Sequence, residues 1–385
     1  MRTRWLAGAA LVLGLAGRCA ASWAQALNQT SGPWVMERSG TTAGLRGIHA
    51  VGGGVAWASG TNGTVLRTED GGYEWQSCAA PADSAKLDFR GIWAWDANTA
   101  IVMSSGPGDA SRLYKTTDGC SSWKLLFTNP DKDGFWDAVA FADRDAGIVL
   151  GDPTINHAYA PNNSGVPEFT ILRTFNGGLL WQRDMLNMRE LRAQSGFAAF
   201  AASNSALAIL DHHAWFGTGG KAGAFVFVGD AYGEMPPHMV CGVCFTAPKK
   251  YDTVWFTARI QVAPLSGEND STGIFSLAFR DLHYGLAVGG DYMKPNDSAG
   301  TAAWSVDGGK TWTAAAKPPH GYRSAVAWDA EAKAWIAVGT NGSDISYDDG
   351  KTWEPLDDGN WNALSLPWVV GPQGRVAKLG KLPGK

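Results

Sequence analysis

Cys241 and Cys244 stand two residues apart in "HMVCGVC", with His238 three residues upstream. That spacing suits a disulfide staple, a redox dithiol or part of a metal site. A tetrahedral metal needs about four ligands, and only three stand here. No histidine follows Cys244, which argues against covalent haem attachment. No helix start lies nearby to lower a thiol pKa. In an oxidising compartment the disulfide is the first reading and the redox pair its alternative.

A second group is cationic. Arg46, Arg90 and Arg323 take corresponding places in "LRGI", "FRGI" and "YRSA"; the other units carry Trp136, Ser195, Ile274 and Asn362 there. Three guanidiniums gathered in one cleft would hold a carboxylate or phosphate through paired N–H donors. The alternative is that each pairs with a local acid or carbonyl. Tyr322, beside Arg323, is the one nucleophile that can be named, and no glutamate is clearly placed to activate it. Polar loop residues add Asp152, His212, His213 with Trp215, and Asp291 with Tyr292 and Lys294. Histidines in such loops are more often hydrogen-bonded structure than ligands. No Ser/His/Asp order, phosphate loop or metal signature is present, so no catalytic residue, metal or cofactor is assigned.

The third constellation looks most like chemistry and is best read as structure. "RTEDGGYEW" (67–75) combines a hydroxyl, acids, glycines and a tryptophan, and its frame returns four times. The frame is Ser/Thr-x-Asp/Asn-x-Gly-x-x-Trp. It is filled by Thr68, Asp70, Gly72 and Trp75, then by Thr116, Asp118, Cys120 and Trp123, with cysteine at the glycine place. Thr174, Asn176, Gly178 and Trp181 follow, then Ser305, Asp307, Gly309 and Trp312, and last Ser346, Asp348, Gly350 and Trp353. Asp or Asn can bond the backbone N–H groups just ahead, glycine takes the positive φ, and Trp covers the turn. Residues that define a repeat usually carry packing.

The elements that must position these groups repeat as well. First strands begin at "LRGIHAV" (45), "FRGIWAW" (89), "FWDAVAF" (135), "GFAAFAA" (196), "GIFSLAF" (273), "YRSAVAW" (322) and "WNALSLP" (361). A second apolar strand ending near glycine, a third strand, the Asp-containing turn and a fourth strand complete the unit. Four antiparallel strands in about 40–60 residues make a propeller blade. The sequence therefore predicts an all-β, seven-bladed β-propeller. The seventh unit lacks a fourth strand, and "PWVMER" (33–38), with Trp34 in the matching place, supplies it and closes the ring. Blade four departs most, with a hairpin insertion at about 229–252 that carries the CxxC. Cys78 and Cys120 hold corresponding rim positions in neighbouring blades and are expected to pair, as are Cys241 and Cys244.

Residues 1–26 have the layout of a secretory signal peptide: Arg2 and Arg4, an apolar run too short to span a bilayer, then a small-x-small site at Ala24–Ala26. This assigns 27–385 to a single propeller domain, exported to a periplasmic or extracellular compartment. Losing Arg2, Arg4 and Arg18 would take the formal charge from −4 to −7. An acidic chain without Lys/Arg blocks offers nothing to nucleic acid, and no later stretch reads as a membrane-spanning segment.

The five turns resemble the Asp-box (BNR) repeats of sialidase-type propellers. Together with the "FRGI" first strands and the leader, they make the chain similar to the photosystem II stability/assembly factor-like propellers. That resemblance covers nearly all of 27–385. It implies non-enzymatic binding of an envelope or membrane protein through an arginine-bearing face, for which Arg46, Arg90 and Arg323 are the candidates. The enzyme alternative is a sialidase-like or other glycoside hydrolase. There the Phe/Tyr-Arg-Ile-Pro motif would need Ile and Pro where Gly91 and Ile92 stand.

Overall fold

Each first strand is short, apolar and bounded by glycine or polar turns, and each finds its neighbour through a tight hairpin. The computed structural model describes residues 32–155, 165–184, 191–193, 196–231, 256–259, 265, 267 and 269–382. Among them seven antiparallel sheets form the blades of a propeller. Their inner strands are Leu45–Gly52, Phe89–Ala94, Trp136–Phe141, Leu207–Leu210, Thr272–Phe279, Ala325–Asp329 and Ala363–Ser365. The ring closes as expected: Trp34–Glu37 pairs antiparallel with Val376–Leu379 as the outer strand of blade seven. Trp34 also donates its indole N–H to Ser343 of blade six at 2.9 Å, which locks the seam.

The core lies between blades. Trp57, Trp136, Trp335 and Trp353 are fully buried; truncating a tryptophan at such a site costs about 3–5 kcal/mol. The five recurring turns show why their residues recur. In the first, the Thr68 hydroxyl donates to Asp70 at 2.9 Å and accepts the Gly72 N–H at 3.0 Å, while Asp70 accepts the Glu74 N–H at 3.0 Å. The same triangle forms around Thr116, Thr174, Ser305 and Ser346. The glycine has a second role. A Cβ on Gly72 would strike Trp368, one on Gly178 Ile101, and one on Gly350 Leu286, each on the second strand of the preceding blade. Cys120 holds this place in blade two at φ 63° and bonds to Cys78 across the rim, with the Cα atoms 5.3 Å apart.

Blade four differs from the sequence expectation. The stretch from 196 is not its inner strand. Phe197–Ala198 pairs with Gly219–Gly220, which in turn joins blade five. The inner strand begins eleven residues later, at Leu207. The residues between cross the propeller axis. Asn204 donates to the carbonyls of Ile92 and Val139 and accepts the Val139 N–H, tying blades two and three. Ser203 donates to the Ser324 carbonyl of blade six, and Ser205 to the Ser276 hydroxyl of blade five. Gly91 is glycine because a Cβ there would meet the Asn204 side chain. Of the insertion expected at about 229–252, residues 232–252, with Cys241 and Cys244, lie outside the described residues.

Candidate functional site

Every inner strand starts on one face of the ring, and every recurring turn lies on the other. Near their starts the inner strands of blades one, two, three and five carry a register shift, and the extra residue is Arg46, Arg90, Asp137 and Phe275. A bulge re-aims one side chain without breaking the strand. Here it sets four side chains at equivalent places beside the channel mouth, with Arg46 and Arg90 partly exposed and Asp137 and Phe275 buried.

Arg46 and Arg90 share one carboxylate. Asp88 accepts from the Arg90 Nε at 2.8 Å, while the Arg46 Nε stands 4.0 Å away. Arg90 also donates to the Ala201 carbonyl of the crossing segment at 3.2 Å. The two guanidiniums keep 35% and 28% of their side-chain surface exposed. Burial lowers the Arg46 pKa, and the like charge of Arg90 lowers it further; an arginine remains protonated all the same. Tyr322 is close enough to Arg46 for their charges to interact, and it packs edge-on against Phe275 at 4.8 Å. Phe275 stacks on Phe200 at 3.9 Å. Asp137 is buried and Asp152 half-buried, and Asp137 is close enough to both Asp152 and Arg90 for their charges to interact. Burial raises both carboxyls; Asp152 is pushed up to about 6 and Asp137 is raised further by the neighbouring Asp152 charge.

Arg323 does not belong to this mouth. The residue donating its backbone N–H to the second strand of the preceding blade is Leu45 in blade one, Trp361 in blade seven and Arg323 in blade six. Arg323 therefore takes the place of Leu45, and Ser324 the place of Arg46. One residue of register turns a side chain to the other side of a strand. Arg323 is fully buried: its Nε donates to Asp344 at 2.6 Å and its Nη1 to Asn341 at 2.6 Å. His320 closes the cluster, 2.8 Å from Asp344 and 2.9 Å from the Asn341 carbonyl, and its pKa is raised chiefly by the Asp344 hydrogen bond.

The other sequence candidates serve packing. His213 sits at the hairpin between the first two strands of blade four, on the face opposite Arg46, and stacks at 5.6 Å on Trp215. Trp215 is buried, stacks on Phe279 and donates to the Gly308 carbonyl. Asp291 is near the mouth but is occupied by the Ser271 hydroxyl and the Met293 N–H. Tyr322 is buried and its phenol pKa is raised well above the ordinary value; the groups acting on it are Arg46 and Tyr292, neither of which removes a proton. It is not the activated nucleophile that a sialidase reading requires. Sequence reasoning missed Asp88 and Asp137. The glycines ending the second strands, Gly60, Gly151, Gly289, Gly339 and Gly371, carried the signal. A Cβ on each would run into the carbonyl of Gly44, Phe135, Gly273, Tyr322 or Asn360, so aligning blades on these glycines gives the true register.

No family model matches the chain, and no curated protein matches it in sequence. Its fold is shared with solved propellers. "YCF48 bound to D1 peptide" is 15% identical with a TM-score of 0.58, over 92% of this chain and 96% of that chain. YCF48 from Cyanidioschyzon merolae is 17% identical with a TM-score of 0.57, over 90% and 99%. The WD40 propeller domain of Doa1 is 8% identical with a TM-score of 0.54, over 91% and 98%. At these identities the likeness is one of fold: a seven-bladed β-propeller.

Proposed function

We propose that this protein is an exported, non-catalytic propeller that binds an acidic segment of another envelope or membrane protein at the Arg46–Arg90 mouth. One observation carries the reading. Among the described residues Arg46 makes no hydrogen bond, and it competes with Arg90 for a single carboxylate. Its planar fork of donors is matched to a carboxylate brought from outside. A propeller of the same fold has been solved with a peptide bound, and the turns that resemble Asp boxes are compatible with a scaffold. Export is supported by the basic and apolar layout of residues 1–26 and by the Cys78–Cys120 disulfide, which belongs to an oxidising compartment.

Crosslinking and affinity isolation from the native envelope test this, with wild type compared against an Arg46→Ala/Arg90→Ala double variant. A protein partner held by wild type and lost by the folded variant is the expected result. A partner held equally by both would move the docking face elsewhere. Recovery of no protein by either would end the scaffold reading.

A further inference from the structure

Asp137 has no role in the fold that its bonds account for. It is 1% exposed, and its Oδ2 is buried without a hydrogen bond. It stands at the bulge of blade three, the place that Arg90 holds in blade two and Arg46 in blade one. Asp152 lies in the second strand of the same blade, Ala146–Thr154: Gly151 is opposite Trp136, and the Asp152 N–H bonds the Phe135 carbonyl. The Asp152 carboxylate accepts the Ala199 N–H at 2.8 Å, where the crossing segment begins. The charged groups that act on Asp137 are Asp152 from its own blade and Arg90 from blade two. The crossing segment from Ala199 to Ala206 and the inner strand of blade four, Leu207–Leu210, bring no charge.

We propose that carboxylate binding at the Arg46–Arg90 mouth is proton-linked, with buried Asp137 and half-buried Asp152 as a proton store behind Arg90. This rests on the docking reading above and adds its regulation. Two interacting carboxylates, one buried and one half-buried, that accept a single hydrogen bond from the described residues cannot both ionise cheaply. When the pair is ionised, its charge faces Arg90 from behind and repels an anion arriving from in front. When the pair holds a proton, the field of Arg90 is directed at the mouth. Linkage is reciprocal, so a bound carboxylate draws a proton onto the pair, and added protons tighten binding. The sign follows: affinity rises as pH falls from about 7.5 to about 5.5. It fails below about 4, where the ligand carboxyl itself protonates.

The test uses the mature protein and N-acetylglycine, whose carboxylate stays ionised across that window. Binding is read from the guanidinium Nε–H signals of Arg46 and Arg90. We expect about tenfold tighter binding at pH 5.5 than at pH 7.5, within the usual range of site coupling. Asp137→Asn should keep the tight affinity at both pH values. Should that variant misfold, calorimetry of wild type in two buffers of different ionisation enthalpy reads proton uptake directly. His320 is another group whose pKa is displaced, raised chiefly by its Asp344 hydrogen bond, so His320→Gln serves as the control and should keep the pH slope. Binding with equal affinity at both pH values, or without proton uptake, overturns the linkage and leaves the docking reading standing. A mouth whose arginine signals respond at no pH overturns both.

Discussion

On the face of the recurring turns, Asp70, Asp118, Asn176, Asp307 and Asp348 each commit a side-chain oxygen to a backbone N–H of their own turn. At the mouth, Asp88 and Asp137 each leave one carboxylate oxygen buried and unbonded. The turns repeat one residue set five times, and every copy closes its hydroxyl–carboxyl (or amide) triangle on itself, while the Trp75 and Trp181 indole N–H groups stay unbonded. The mouth places Arg46, Arg90, Asp137 and Phe275 at one equivalent position. Repetition of one closed polar triangle builds the scaffold. Variation at one equivalent position, with charged groups left over, marks where it meets something else.

The widest contrast is between two arginines that look alike in sequence. Arg323 and Asp344 are both fully buried and bonded to each other. Arg323→Ala would leave Asp344 without its main partner, and unfolding by urea should show a loss of about 3–5 kcal/mol. A loss below about 1 kcal/mol would mean that the blade-six cluster is no more structural than the mouth. The glycine of the fifth turn comes next. Gly350 has φ 78° and rests against Leu286, so Gly350→Ala adds left-handed strain to a steric conflict. It should cost about 2–3 kcal/mol in the same measurement. Cys120 tolerates a similar φ in blade two, so a neutral Gly350→Ala would show that the Leu286 contact is also relieved at no cost.

The features legible in the sequence were those that repeat. The five turns, the borrowed strand at Trp34 and the Cys78–Cys120 pair all follow from one frame applied seven times. Two things were hidden. Tyr322-Arg323 has the same look as Phe89-Arg90, yet a bulge is present in one strand and absent in the other. A bulge changes register by one residue without changing composition. Phe197–Ala202 is apolar, as an inner strand would be, yet the bonds of Ala199–Ser205 run to four other blades. Those partners are far off in the chain, from Ile92 to Ser324, and no local pattern reports them.

The smallest stability effect should fall where the functional effect is greatest. Arg46 contributes one long ion pair at a partly exposed rim, and such pairs are worth about 0–1 kcal/mol. Removing it also relieves the repulsion from Arg90 that lowers its pKa. Arg46→Ala should therefore leave the urea midpoint within about 0.5 kcal/mol of wild type. The same change should weaken carboxylate binding about tenfold, since a charge-assisted fork is lost where Arg90 alone remains. Opposite outcomes for Arg46→Ala and Arg323→Ala in the two assays would separate a binding arginine from a structural one. Equal losses of stability would instead place Arg46 in the scaffold, and the mouth would have no free cation to offer a partner.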